Sequence, residues 1–310
     1  MNRLLGLAAG LALAFPAAAM PPVPEVADAS MASLQAEVAA GRASSEAITS
    51  AYVVRGKDIE PRVNAVIAMN PAALSDARAA DQARRAGDRR PLLGAAILVK
   101  DNIETADAGL ATTAGSLALA DNVSGPDAPV NARLRAAGVV VLGKTNLSEW
   151  ANIRSDNSIS GWSAVGGQTR NPYALDRSPC GSSSGTGAAI ASGLAAAGIG
   201  TETDGSITCP AAVTGLVGLK PTVGLVSRTG IVPISATQDT AGPMTRTVED
   251  AALLLTAMAG TDPKDPATAQ ADGRREAYTD RLKPDALKGA RIGVMRYAAG
   301  FHPETDAVFE

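Results

Sequence analysis

Val130-Asn-Ala-Arg-Leu-Arg-Ala-Ala-Gly138-Val-Val-Val-Leu-Gly143-Lys144-Thr145 changes its period half-way. Val130 to Ala137 carries apolar residues at helical spacing, Gly138 ends that pattern, and Val139 to Leu142 is an unbroken β-branched and aliphatic run that reads as a buried strand. The same alternation spreads in both directions. Gly94 to Val99 is a second short apolar run and feeds the polar residues Lys100-Asp101-Asn102. Upstream, helices are predicted over Ser33 to Ala40, from Ser44-Ser45-Glu46 through Val54, and over Ala72 to Gly87. Downstream, Ser148 to Gly181 is long, polar and glycine-rich, the kind of loop that in a compact domain carries function. Ser182 to Gly187 is a Ser/Gly loop, Ala188 to Ala197 a small-residue helix, and Gly198 to Gly205 a lead into Ser206. Val248 to Gly260 reads as a helix, Thr261 to Arg281 as polar surface, Arg291 to Val294 as a new strand and Asp306 to Glu310 as the opening of a helix. Alternating strands and helices predict an α/β fold, a sheet covered by helices on both faces.

Composition narrows the function. The 310 residues are 46% hydrophobic and 19% charged with a net charge of −3 and no basic block, so nothing points to nucleic acid or an anionic membrane as a partner. The run from Leu4 to Ala19, after Asn2 and Arg3 and ending in Ala17-Ala18-Ala19, is shorter than the roughly 20 residues that span a bilayer and has a small-residue cleavage pattern. Residues 1–19 are therefore expected to be a signal peptide and 20–310 a secreted or periplasmic domain, with no stable membrane insertion after cleavage. The two cysteines, Cys180 and Cys209, are too few for a disulfide scaffold. They are read as small packing residues, although an exported chain could oxidise them.

The single histidine, His302, lies in Phe301-His302-Pro303 and reads as a surface turn. That removes a Ser-His-Asp triad, a Cys-His dyad and histidine metal sites; no metal or cofactor is expected. Gly138 to Thr145 also matches the phosphate-loop spacing G-x-x-x-x-G-K-[ST]. Its middle residues are the strand itself, however, and Val139 to Val141 resist wrapping around a phosphate. Lys144 is then expected to be a polar residue at a strand end. What remains is Lys100, Ser182-Ser183-Ser184 and Ser206, with Gly181, Gly185 and Gly205 beside the serines. Glycines permit close backbone approach and unusual dihedrals. A serine hydroxyl needs a base, and without histidine lysine is the candidate, provided burial makes it neutral near pH 7–8 at a cost of about 4 kcal/mol. Flexible connectors and an exposed lysine fit the same spacing equally well.

The segments Pro91 to Ile103, Gly138 to Glu149, Arg177 to Gly187, Gly200 to Ile207 and Gly215 to Thr222 together resemble the amidase signature family of amide hydrolases, over roughly Glu25 to Val294. The resemblance implies a central mixed β-sheet covered by helices, with Ser206 as nucleophile, Ser182 as a bridging serine preceded by a cis peptide bond, and Lys100 as base. It implies an oxyanion hole from the backbone N–H groups of Thr203, Asp204, Gly205 and Ser206, with Ser183 in support. Thr201 to Pro210 and Gly224 to Ser235 look most like bacterial peptide amidases, which release ammonia from C-terminal peptide amides. A small-molecule or peptide amide is the expected substrate, and an aryl or aliphatic acylamidase of the same mechanism is the alternative. Cys180 departs from a glycine usual in the family. Family members usually continue further, so the domain is expected to lack its C-terminal part, and an inactive fragment or ligand-binding remnant is the reading from another class.

Overall fold

Lys100 and Ser206 sit at and just past the ends of neighbouring parallel strands, and the sheet explains why. The computed structural model describes residues 25–107, 109–123 and 125–310; the expected signal peptide lies outside them. Among the described residues the strands are β1 (Val66–Met69), β2 (Ala96–Lys100), β3 (Val140–Thr145), a two-stranded hairpin of β4 (Trp162–Ser163) and β5 (Gly167–Gln168), β6 (Ala197–Glu202), β7 (Val217–Gly218) and β8 (Thr240–Thr245). The main sheet runs β1-β3-β2-β6-β8-β7. Its centre, β3-β2-β6, is parallel, whereas β1 and β8 pair antiparallel with their neighbours and β7 pairs antiparallel with β8. Every residue of β2, β3, β6 and β8 is buried, as required of strands covered on both faces.

The helices follow their caps. α1 (Met31–Ala39) starts at Ser30, whose hydroxyl accepts from Ser33 N–H, and buries Met31, Leu34 and Val38 at helical spacing. α2 (Ser45–Val63) starts at Ser44, runs well past Val54 and ends at Asn64 in a left-handed conformation. α3 (Ala73–Arg85), α4 (Pro129–Ala136), α5 (Ser184–Ala191), α6 (Thr208–Val213) and α7 (Val248–Met258) complete the flanking layers. In α5 the small residues are a packing requirement. A Cβ on Gly185 would lie 2.4 Å from the Asn146 carbonyl oxygen, and one on Gly198 of β6 2.5 Å from Thr186.

Several expectations change. The helix predicted to Ala197 starts earlier, at Ser184, and stops at Ala191; Ala197 opens β6, whose Ala-Gly-Ile-Gly composition hides a strand from propensity. β1 and β8 lie outside the predicted strands, the latter because Gly242 and Pro243 read as turn residues. Arg291 to Val294 pairs with no strand among the described residues and is exposed, Ile292 at 72%, since an apolar run without a neighbouring strand has no ladder to join. The last helix begins at Pro303 rather than Asp306.

Candidate active site

β2 ends at Lys100 and β6 at Glu202, side by side at their carboxyl ends, where open α/β sheets bind ligands. Lys100 is wholly buried. Its Nζ lies 2.8 Å from Ser182 Oγ, 2.8 Å from Thr201 Oγ1 and 3.4 Å from the Thr201 carbonyl oxygen. Burial pushes its pKa down to about 7; the carboxylates of Asp239 and Glu202 act in the opposite direction and are outweighed. The apolar run before Lys100 supplies that burial, as the sequence suggested.

The two serine loops meet over this amine. Gly181–Ser182 is a cis peptide, as the resemblance implied. Ser148 N–H donates to the Ser182 carbonyl oxygen and Ser183 N–H to the Ser206 carbonyl oxygen, at 3.1 and 3.0 Å. The Ser183 hydroxyl donates to the Thr201 carbonyl oxygen at 3.1 Å and accepts from Thr201 N–H at 3.2 Å, which ties the start of α5 to β6. Ser206 is 7% exposed, and its hydroxyl makes no hydrogen bond to a described protein group. The backbone N–H groups of Thr203, Asp204, Gly205 and Ser206 also donate to no described protein acceptor. Gly205 holds φ at 72°, the left-handed conformation this turn needs.

Several residues around these were not singled out from sequence. Thr201 Oγ1 also accepts from Asn102 Nδ2 at 2.9 Å, so one hydroxyl joins β6 to the residues after Lys100. The Glu202 carboxylate accepts from Ile207 and Thr208 N–H at 2.7 and 2.8 Å, fixing the exit of the Ser206 turn into α6. Asp239 accepts from the Thr203 hydroxyl and from Ile234 and Ser235 N–H, pinning the turn to the following wall. That wall, with Ile231, Val232, Pro233 and Ile234, faces Asn102, Thr201 and Thr203 across a cleft of about 280 Å³. Thr201 and Glu202 sit in the quoted Gly200 to Ile207 segment, so their proximity to Ser206 was the available signal.

Cys180 and Cys209 are not packing residues but a disulfide, with Cα atoms 5.9 Å apart. Their positions close before Ser182 and close after Ser206 would have suggested it only once the serines were known to be neighbours. Lys144 is a polar residue near the end of a strand, as expected, and it is not exposed. It is fully buried inside β3, donates to the Ile103 carbonyl oxygen and to Thr112 Oγ1, and lies 3.9 Å from Asp101. The phosphate-loop spacing thus falls on a buried strand. His302 is exposed, and its partners are Thr305 and Glu304 rather than any residue of this cluster.

The amidase family model matches residues 47–310. The chain belongs to the amidase family. Its fold superposes on native peptide amidase from Stenotrophomonas maltophilia with a TM-score of 0.86 at 55% identity, covering 93% of this chain and 60% of that one. A "Probable amidase" of Arabidopsis thaliana is 46% identical over 259 residues, 82% of this chain and 50% of its own length. A glutamyl-tRNA(Gln) amidotransferase subunit of Roseiflexus castenholzii is 45% identical over 273 residues, 87% of this chain and 54% of the relative. This amidase-family chain thus spans about half the length of the curated relatives it matches.

Proposed function

We propose that the chain hydrolyses carboxylic amides through Ser206, Ser182 and Lys100, with C-terminal peptide amides as the substrate class and ammonia as the leaving group. The observation that carries this reading is the buried Lys100 Nζ, 2.8 Å from the Ser182 hydroxyl and with no carboxylate within ion-pair distance among the described residues. An amine that is neutral near pH 7 can accept a proton. In the proposed step Ser206 Oγ attacks the amide carbon while its proton passes to Ser182 and that of Ser182 to Lys100. The oxyanion is met by the free N–H groups of residues 203–206. The C–N bond then breaks, and the proton returns through Ser182 to the leaving nitrogen, leaving an acyl-Ser206 ester. Water repeats the relay and releases the acid. The cleft walled by Ile231 to Ile234 is a fitting place for the acyl side of the substrate.

The peptide amidase likeness favours ammonia release over anilide cleavage. The disulfide suits a secreted or periplasmic protein, consistent with a signal peptide at residues 1–19. Intact mass of the full chain after fluorophosphonate treatment tests the mechanism. One adduct per chain is expected, absent in Ser206→Ala; labelling that persists in Ser206→Ala overturns the assignment. Ammonia release from peptide amides is expected to exceed aniline release from anilides, and the reverse result selects the acylamidase reading.

A further inference from the structure

We infer that Cys180 and Cys209 are positioning residues, and that their disulfide holds the two serine loops in the register that acylation of Ser206 needs. The inference rests on the serine-amidase reading above. Cys180 stands just ahead of Gly181 and Ser182, and Cys209 just after Ser206, Ile207 and Thr208, so the bridge spans the two loops on either side of the proposed proton path. Elsewhere each loop is anchored to its own surroundings. The Ser184 hydroxyl donates to the Cys180 carbonyl oxygen at 2.6 Å, and Glu202 receives the N–H groups at the exit of the Ser206 turn. Directly between the loops runs the Ser183 N–H bond to the Ser206 carbonyl oxygen. Because the Ser206 hydroxyl has no described protein partner, its distance from Ser182 is set by the backbones alone, and the bridge is the covalent part of that setting.

The backbone at Cys180 supports the same conclusion. Its φ is 56°, in the left-handed region where glycine sits freely and a side chain is strained. A cysteine held there makes physical sense when its sulfur supplies a bond that glycine cannot. Both cysteines are partly exposed, so a dithiol can reach them. Its thiolate attacks one sulfur, the mixed disulfide is resolved by the second thiol, and the products are two protein thiols and one oxidised, cyclised reductant.

The test compares fluorophosphonate labelling rates of Ser206 in the full chain as oxidised, after dithiothreitol, and in Cys180→Gly/Cys209→Ala, each with a thermal melt and a labelling pH profile. The expected result is labelling about 10–100-fold slower on reduction, since misplacement of about 1 Å costs rate on this scale. The cooperative melt and the pH midpoint set by Lys100 are kept, and reoxidation restores the rate. The double variant, with glycine at the left-handed position, is slow with or without dithiothreitol. Equal rates in the oxidised and reduced chains overturn the inference and leave the amidase reading standing. A slow reduced chain that has also lost its cooperative melt overturns it too, making the bridge a general staple. No labelling of the oxidised chain removes the serine-hydrolase reading itself, and this inference with it.

Discussion

Two lysines lie on adjacent strands of the same sheet, both fully buried, and they meet different partners. Lys144 of β3 pairs in register with Val99, one residue before Lys100, while Lys100 pairs with Thr145. Partners in a parallel ladder share a face and successive residues alternate, so the two amines point to opposite faces of the sheet. Lys144 meets a carboxylate: Asp101 lies 3.9 Å away and itself accepts from Thr113 N–H and hydroxyl. Burial pushes Lys144 down and Asp101 up, and each is partly restored by the other's charge. Lys100 meets hydroxyls instead, and burial brings it to about 7. Burial alone therefore does not make a base. The partner decides whether a desolvated amine stays an ammonium in an ion pair or becomes a proton acceptor.

The largest effect that would break this contrast is kinetic. Lys100→Met keeps most of the side-chain volume and removes the acceptor. Labelling of Ser206 is expected to fall about 10³-fold, within the range of lost general-base catalysis, while the melt stays cooperative. Lys144→Met should lose far less rate relative to its loss of stability. Stopped assays of both variants beside their melts check this. A Lys144→Met chain that is slower than Lys100→Met while equally folded would reverse the two roles.

The next effect is thermodynamic and belongs to the other lysine. Asp101→Ala removes the carboxylate and leaves Lys144 buried beside carbonyl and hydroxyl oxygens. Breaking a buried pair in this way costs about 3–5 kcal/mol. Because Asp101 also anchors Thr113, and Asn102 next to it donates to Thr201, the loop after Lys100 should loosen as well. Urea unfolding of Asp101→Ala and of the Asp101→Leu/Lys144→Met pair measures it. The single variant is expected to be the less stable of the two, and an Asp101→Ala midpoint equal to that of the unaltered chain would show the ion pair to be idle.

What could be read in advance follows the same line of physics. Two of the three parallel strands, β2 and β3, were legible because Ala95 to Val99 and Val139 to Leu142 are dense in aliphatic residues, α1 because its apolar residues recur at helical spacing, and α2 because Ser44-Ser45-Glu46 reads as a helix start. β6 and β8 were not, since Gly198 gives way to Thr186 and Ile190 of α5, and Gly242 to the Leu219 carbonyl and Pro221, a tertiary demand without local signature. In the candidate site, the serines stood out by their flanking glycines, and Lys100 by the lack of another base and by the apolar run before it. Thr201 did not, because its importance comes from sitting where two strands and one loop converge. The disulfide was hidden for the same reason: the closeness of Cys180 and Cys209 exists only after the start of α5 is tied to β6 and the serine loops meet.

The smallest expected effect isolates Lys100 from every other titrating group. Its folded pKa, about 7, lies below its ordinary 10.5, so between these values the unfolded chain holds a proton that the native chain does not. Stability must then rise with pH across that window, by at most about 1.4 kcal/mol per pH unit for one proton. Below about 7 both states are protonated and the whole cost of burying the charge is present; above 10.5 neither is, and the cost is gone. Glu60, which burial raises to about 7, and Tyr52, raised to about 12 by the same cause, add their own slopes outside roughly pH 8–9.5. Lys144 contributes equally to the unaltered chain and to Lys100→Met, so it cancels in their difference. Urea midpoints of the two proteins should therefore converge as pH climbs from about 8 to about 9.5, with Lys100→Met the more stable at the low end. Parallel lines would mean that Lys100 keeps its proton in the native state, and the amine would then be a second structural cation like Lys144 rather than a base.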